Sequence, residues 1–264
     1  MKPVPPVQPP IRLADCPPGF HDGLAKAAAR KRTEAWCARI GELQPLLYAN
    51  ARHALLLVFQ GMDTSGKDGA ARGVLSAVNP AGVETADFKQ PSAEELAHDF
   101  LWRIHRAVPV RGMIGVFNRS HYESVLVERV MGLQPKSVLR ARYRQINEFE
   151  RYLAENRVIV LKFFLHLSRD EQRRRLESRL ADPAKNWKFS PDDLKSRAHW
   201  DEYQAAYEDA LNRCSTRRAP WYLIPADHKW YRDYLIAQVV VHALEALRME
   251  WPPLAVDCAK VRID

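Results

Sequence analysis

The chain alternates short apolar runs with longer segments in which apolar positions recur at helical spacing. Ala54-Leu55-Leu56-Leu57-Val58-Phe59 is apolar throughout and ends in a glycine-rich turn, the pattern of a strand buried on both faces of a parallel sheet. Residues 83–88 read as a second strand and Met113-Ile114-Gly115-Val116-Phe117 as a third, with residues 158–167 a fourth and 221–224 a short last one. Residues 24–47 carry apolar positions at helical spacing among basic ones, which predicts an amphipathic helix or helix pair. A helix is expected from Lys67 to about residue 78, where Asn79-Pro80 stops it.

Ser92-Ala93-Glu94-Glu95 has capping-box spacing and opens a helix to about residue 106. Residues 137–156 look helical, and Ser168-Arg169-Asp170-Glu171 repeats the capping spacing ahead of a basic helix. Pro183 and Asn186 break the pattern across residues 182–189. Ser190-Pro191-Asp192-Asp193 then offers an N-cap, a first-turn proline and two acids at a new helix start. Residues 230–247 read as the final helix. Strands alternating with helices predict one α/β domain on a parallel sheet, residues 21–264, preceded by an extended proline-rich tail, residues 1–20.

Composition fits this reading and adds a charge bias. The 264 residues are 47% apolar with seven tryptophans, enough for a substantial core. Lys and Arg total 40 against 32 Asp and Glu, a net charge of +8. That excess favours a polyanionic partner such as nucleic acid, anionic lipid or a phosphate chain, without choosing among them. Cys16, Cys37, Cys214 and Cys258 are scattered with no metal-ligand spacing, which suits a reducing cytosol and argues against structural zinc or a disulfide framework. No apolar stretch approaches the ~18 residues of a membrane span, and the N-terminal tail lacks the apolar core of a signal peptide.

The strongest chemical signal is the loop Gly61-Met62-Asp63-Thr64-Ser65-Gly66-Lys67 between a strand and a helix. Its glycines let backbone N–H groups converge on phosphate oxygens, with the helix N-terminus and an exposed Lys67 adding positive charge. Thr64, Ser65 and Gly69 complete the candidate cradle. The hydroxyl residue that normally follows the lysine and helps hold Mg²⁺ is replaced by Asp68. Asp63 and Asp68 are therefore the candidate metal ligands, Asp63 the favoured one, because Mg²⁺ prefers hard carboxylate and water oxygens. Asp68 also suits a helix first turn with no metal at all.

The third strand ends at Asn118, whose carbonyl oxygen carries no charge, so a water-mediated or positioning role is expected there. Arg119 follows at a strand C-terminal end, where open α/β sheets bind ligands; anion binding is favoured there over a structural ion pair. The basic helix contains Arg173, Arg174, Arg175 and Arg179, of which Arg175 and Arg179 share a face. They are either part of an exposed face, with Glu171 pairing Arg175, or cations that close over a phosphoryl group. The irregular segment with Lys185 and Lys188 could form part of such a lid. His121 reads as a structural histidine.

Several segments together resemble the polyphosphate kinase 2 family. They are the loop extended through Asp68-Gly69, Phe88-Lys89-Gln90-Pro91-Ser92, His98-Asp99-Phe100-Leu101-Trp102-Arg103, and Val116-Phe117-Asn118-Arg119-Ser120-His121-Tyr122-Glu123. Trp187-Lys188-Phe189-Ser190-Pro191, Ala219-Pro220-Trp221-Tyr222, Pro225-Ala226-Asp227 and Lys229-Trp230-Tyr231-Arg232 complete the set, in family order from about residue 20 onward. The resemblance implies a three-layer α/β/α P-loop kinase fold of the thymidylate-kinase type, with a helical region at about 21–50 and a lid at about 168–200.

It also implies Mg²⁺-dependent phosphoryl transfer between inorganic polyphosphate and nucleotides, with Mn²⁺ as an alternative metal. The forms of the Lys89 and Arg119 segments look most like the single-domain third class, which takes AMP through ADP to ATP; GMP and GDP are further expected acceptors. By position, Asp63 and Lys67 match the Walker A acid and lysine, and Asn118 stands where other classes carry aspartate. Arg119 and Arg129 match arginines near the phosphates, Arg175 and Arg179 match lid arginines, and Asp193 matches an acid after the Ser-Pro pair. Lys89, Asn118 and Glu123 fall near the nucleotide. The resemblance further implies a cytoplasmic homodimer or homotetramer that binds neither nucleic acid nor membrane. An ATP-dependent nucleoside monophosphate kinase is the alternative enzyme, and a basic nucleic-acid-binding protein the alternative outside enzymes, although no nucleic-acid-binding signature is present.

Overall fold

In the computed structural model, residues 4–254 and 256 are described. The first three residues of the proline-rich tail and Cys258 lie outside them. Among the described residues, five strands form one sheet in the order β2-β3-β1-β4-β5, every neighbouring pair parallel. They are β1 (Ala54–Gln60), β2 (Val83–Asp87), β3 (Ile114–Asn118), β4 (Val158–His166) and β5 (Trp221–Pro225). All seven β1 residues are buried, as expected for a central strand covered on both faces. β2, an edge, keeps Glu84 and Asp87 among its half-exposed or exposed residues, which discourages pairing with another sheet.

Among the described residues, ten α-helices connect and cover the strands: α1 (Lys26–Asn50), α2 (Lys67–Val74), α3 (Ala93–Ala97), α4 (Trp102–Arg106), α5 (Val127–Val130), α6 (Lys136–Glu155), α7 (Arg169–Ala181), α8 (Pro191–Ala198), α9 (Trp200–Cys214) and α10 (Lys229–Glu245). Alternation along β1 divides the core. Leu55, Leu57 and Phe59 pack with α1, α2 and α10, whereas Ala54, Leu56 and Val58 pack with α4 and α6. A third cluster joins Phe164 and Trp221 to α6 and α9 through Tyr143, Ile146, Tyr207 and Leu211. The result is the expected three-layer α/β/α arrangement. Among the described residues, no helix is long and apolar enough to cross a membrane.

The segment expected as one helix or a pair at residues 24–47 is one helix, α1, which continues through Pro45. Two expected helices differ. Helix α2 ends at Val74, short of the expected residue 78. The helix expected from residue 93 to 106 divides into α3 and α4, because His98 is extended and the Asp99 carboxylate accepts the Leu101 N–H at 2.9 Å, making a local turn. The capping box at Ser92 and Glu95 is present in both directions. Beyond the residue-190 start, His199 ends α8 and the separate helix α9 follows. The proline-rich tail lies along the body: Val4 N–H donates to Gln238 Oε1 at 3.1 Å, Val7 N–H to the Trp221 carbonyl at 2.7 Å and Ile11 N–H to Asn212 Oδ1 at 2.8 Å.

The order of connections places the site. From β1 the chain leads to one side of the sheet, and from β4 to the other. Their loops therefore diverge and open a crevice at the C-terminal edge, where ligands of such sheets bind.

Candidate active site

At that edge the loop after β1 turns back on itself and starts α2. Gly61 has φ +153° and Gly66 φ +93°, values that glycine adopts without a steric cost. A Cβ on Gly66 would lie 2.2 Å from Arg232 Nη1, and one on Gly61 would lie 2.8 Å from the Leu165 carbonyl. A side chain at Gly61 would meet fixed backbone, and one at Gly66 would combine a strained φ with displacement of the Arg232 guanidinium. Thr64 and Arg119 also have φ +62°; left-handed backbone at non-glycine residues costs about 1–3 kcal/mol and concentrates at functional sites.

Lys67, expected as an exposed loop residue, is buried and donates from Nζ to the Gly61 carbonyl at 2.9 Å. Burial pushes its pKa down and the nearby Arg119 charge adds to that, while Asp63, Glu123 and Asp68 oppose it. A phosphate bound there would supply the missing counter-charge. Thr64 Oγ1 and Ser65 Oγ are buried without partners. Buried polar atoms are seldom left so, and these two hydroxyls belong to the loop that faces the crevice.

Arg119 bridges the loop to the turn after β3. Its guanidinium contacts Asp63 at 2.8 Å and Glu123 at 3.4 Å. The Glu123 carboxylate, working against burial and aided by Asp63, holds the Arg119 pKa above its usual value. Burial raises the pKa of Glu123, opposed by Arg119 and Lys67. Beside them, Asn118 Nδ2 donates to Asp68 Oδ1 at 2.6 Å, and Asn118 Oδ1 is buried without a partner. Gly69 lies in the first turn of α2.

Arg175 differs from the expected mobile cation. It is half-buried, and its donors are all engaged: Nε on Glu171 at 2.8 Å, Nη1 on the Thr64 and Ser65 carbonyls at 3.1 Å, and Nη2 on the Ala226 and Asp227 carbonyls at 2.7 and 3.0 Å. It ties the loop to the end of β5. Arg232 lies under the same loop, buried, with Nη1 3.4 Å from the Ser65 carbonyl and Nη2 2.7 Å from Asp233. No site role was expected of Arg232. Its signal in the sequence is its place in the Lys229-Trp230-Tyr231-Arg232 segment.

Arg179 instead bonds the Lys188 carbonyl at 3.1 Å and Asp193 at 3.0 Å, holding α7, the turn at Asn186–Lys188 and α8 together. Burial raises the Asp193 pKa, and the charge of Asp63 adds to this. Two expected residues are not drawn into the cluster. Arg129 contacts Asp209 at 2.5 Å and Tyr143 at 3.4 Å. Lys89 is exposed, 3.5 Å from Asp87.

These contacts separate the two helix arginines experimentally. Arg175→Ala should lower stability by at least about 2 kcal/mol and lower turnover as well, because several loop carbonyls lose their donor. Arg175→Lys should not rescue, since an ammonium cannot reproduce the planar fork. Arg179→Ala should lower turnover with little change in Tm. Equal thermal shifts in both variants would contradict the distinction.

The model of the family polyphosphate kinase 2 (PPK2) matches residues 23–252. An AMP/ADP-polyphosphate phosphotransferase of Meiothermus ruber is 49% identical over 239 residues, 90% of either chain. An ADP-polyphosphate phosphotransferase of Rhodopseudomonas palustris is 50% identical over 226 residues, 81% of this chain and 78% of that one. The crystal structure of polyphosphate kinase 2 from Arthrobacter aurescens TC1 superposes with a TM-score of 0.93 at 43% identity, covering 96% of this chain and 92% of the other.

Proposed function

This chain belongs to the polyphosphate kinase 2 family, and we propose that it passes phosphoryl groups from inorganic polyphosphate to both AMP and ADP. It is a polyphosphate:nucleotide phosphotransferase; acceptance of both nucleotides rests on the 49% identity to the Meiothermus ruber AMP/ADP enzyme over 90% of either chain. The observation that carries the reading is the loop itself. Two unpartnered hydroxyls and a desolvated lysine meet there at the N-terminus of α2.

The acceptor is a nucleotide phosphate, whose oxygen is already anionic, so the reaction asks the protein for position and charge neutralisation more than for a general base. Loop N–H groups, the Thr64 and Ser65 hydroxyls and Lys67 would hold the donor end. Arg119, fixed by Asp63 and Glu123, would face the transferring group across the crevice. Charge that spreads over the equatorial oxygens in the transition state would then meet groups already in place. Arg179 and Asp193 would steady the helical segment over the site.

Asp68, oriented by Asn118, and Asp63 fit a Mg²⁺ site, with Mn²⁺ as an alternative. Among the described residues no three acidic or metal-ligating side chains gather, and Mg²⁺ typically takes one or two carboxylates with the rest of its shell from water and substrate phosphates. Such an ion, when bound, would neutralise phosphate charge and align oxygens. Guanine nucleotides as further acceptors, a cytoplasmic setting and a homo-oligomer complete the proposal; free Cys16, Cys37 and Cys214 support the setting.

Incubating the purified protein with long-chain polyphosphate, Mg²⁺ and AMP should yield ADP first and ATP after it. Chelating the divalent cation should stop both steps. Accumulation of ADP with no ATP would contradict the two-acceptor reading.

A further inference from the structure

Away from the loop, α6, α9 and the turn leading into β5 enclose an open groove of about 550 Å³. Six arginines line it: Arg140, Arg144 and Arg151 from α6, Arg213 from α9, and Arg217 and Arg218 from the turn. Glu148 is the one acidic residue in that lining. The three α6 arginines follow one stripe of the helix. At a rise of ~1.5 Å per residue they extend along roughly 16 Å of it.

The arginines are poorly neutralised. Arg144 reaches Glu148 at 3.3 Å, Arg151 reaches Glu155 at 3.4 Å, and Arg213 reaches Asp209 at 3.6 Å, all between exposed side chains. Such pairs contribute little. Glu155 is shared by Arg151 and Arg218. Arg140 and Arg217 stand in no ion pair among the described residues. Cations drawn from two helices and a turn around one concavity raise the local anion concentration and favour an extended anionic ligand.

The groove adjoins Arg129, the arginine expected near the phosphates that stands outside the loop cluster. Tyr143 lines it and accepts from Arg129 Nη1, and the Arg213 guanidinium sits 5.4 Å from the Tyr143 ring centroid. Arg129 and Arg213 share Asp209. α6 starts after β3 at the C-terminal edge of the sheet and ends where β4 begins at the opposite edge. The line of arginines therefore leads from the active-site edge down the side of the molecule.

We propose that this groove binds inorganic polyphosphate as a second segment of the donor site, holding the part of a long chain that extends beyond the loop. The proposal rests on polyphosphate being the donor. A nucleic acid would bring the same phosphate charge, but single strands are held by exposed aromatic platforms as well. The only aromatic side chain in the lining, Tyr143, is buried beneath Arg213. The groove thus offers charge without a surface on which bases could stack.

The test compares two donors of different length, long-chain polyphosphate and tetrapolyphosphate, in the wild-type protein and in the triple variant Arg140→Ala, Arg144→Ala, Arg217→Ala. These three side chains are exposed, so Tm should not move. The KM for long-chain polyphosphate should rise about tenfold, with kcat unchanged and the KM for tetrapolyphosphate unchanged. The difference should shrink as salt is added, and the corresponding triple lysine variant should recover most of it. An unchanged long-chain KM, or equal increases for both donors, would overturn the proposal. So would loss of single-stranded RNA binding in the variant with its long-chain KM intact, which would make the groove a nucleic-acid face. If the wild-type protein turned over neither donor, the polyphosphate reading itself would fall; normal turnover without length dependence would remove only the groove.

Discussion

Lys67→Ala should reduce turnover by about a thousandfold while shifting Tm by only a few degrees. The side chain is buried, but its one bond in the structure is to the Gly61 carbonyl at 2.9 Å. Losing a single hydrogen bond costs about 1 kcal/mol. Removing an ammonium that burial and Arg119 already disfavour returns part of that cost. In the transition state the same ammonium would stabilise charge on the transferring group, and no neighbouring cation can take its place. Arg119 is held by Asp63 and Glu123, and Arg175 by loop carbonyls. Activity within tenfold of wild type, measured with saturating nucleotide and donor, would show that the loop is not the cradle.

The second large effect concerns stability. Glu150→Ala should lower stability by about 3–5 kcal/mol, on the order of 10 °C in Tm. Lys162 and Glu150 are fully buried and 2.5 Å apart. Lys162 Nζ donates to the Tyr122 hydroxyl, the Glu150 carboxylate and the Cys214 carbonyl, which uses the three donors of a charged ammonium. Glu150 Oε1 in turn accepts from Tyr122 at 2.9 Å and from His121 Nε2 at 3.1 Å. Burial alone would raise the Glu150 pKa; Lys162 and the His121 hydrogen bond overcome it and hold the carboxylate below its usual range. Removing one partner leaves a buried charge unpaired, which is why the single variant is costly.

A paired replacement, Glu150→Met with Lys162→Met, should recover most of the loss, because the desolvation of both charges disappears together. Thermal unfolding of the single and double variants measures this directly, and additive losses would contradict the argument. The network also reaches the site, since His121 and Tyr122 lie two and three residues after Arg119 in the turn after β3.

All five strands were legible in the sequence: β1, β3, β4 and β5 are short, mostly apolar runs, while β2 is a half-exposed edge strand of mixed residues lying between Pro80 and Pro91. Ser92, Ser168 and Ser190 all cap as their spacing indicated. α9 was not separated from α8, although Tyr203, Ala206, Tyr207, Ala210, Leu211 and Cys214 keep helical spacing along its buried face. No glycine or proline stands between them to mark the break. The Asp99 turn was hidden for a similar reason, since a side chain accepting a neighbouring N–H can halt a helix without any breaker residue.

Within the site, the loop and Arg119 were legible because spacing and strand ends locate them. The different fates of Arg175 and Arg179 were not. They lie one turn apart on the same helix, yet Arg175 points under the loop and Arg179 toward α8. Periodicity places residues on a face, but which carbonyls meet that face depends on β5 and α8, distant in the chain. Arg232 was missed for the same reason: a buried arginine on α10 acquires meaning only from the Gly66 backbone packed against it.

The central claim is that this site takes its phosphoryl group from polyphosphate. Purified protein with Mg²⁺ and AMP, given either long-chain polyphosphate or ATP as the sole donor, tests it most directly through the initial rate of ADP formation. A rapid rate with polyphosphate, abolished by Lys67→Ala, is the predicted result. ADP formation from ATP with none from polyphosphate would contradict it and identify a nucleoside monophosphate kinase instead.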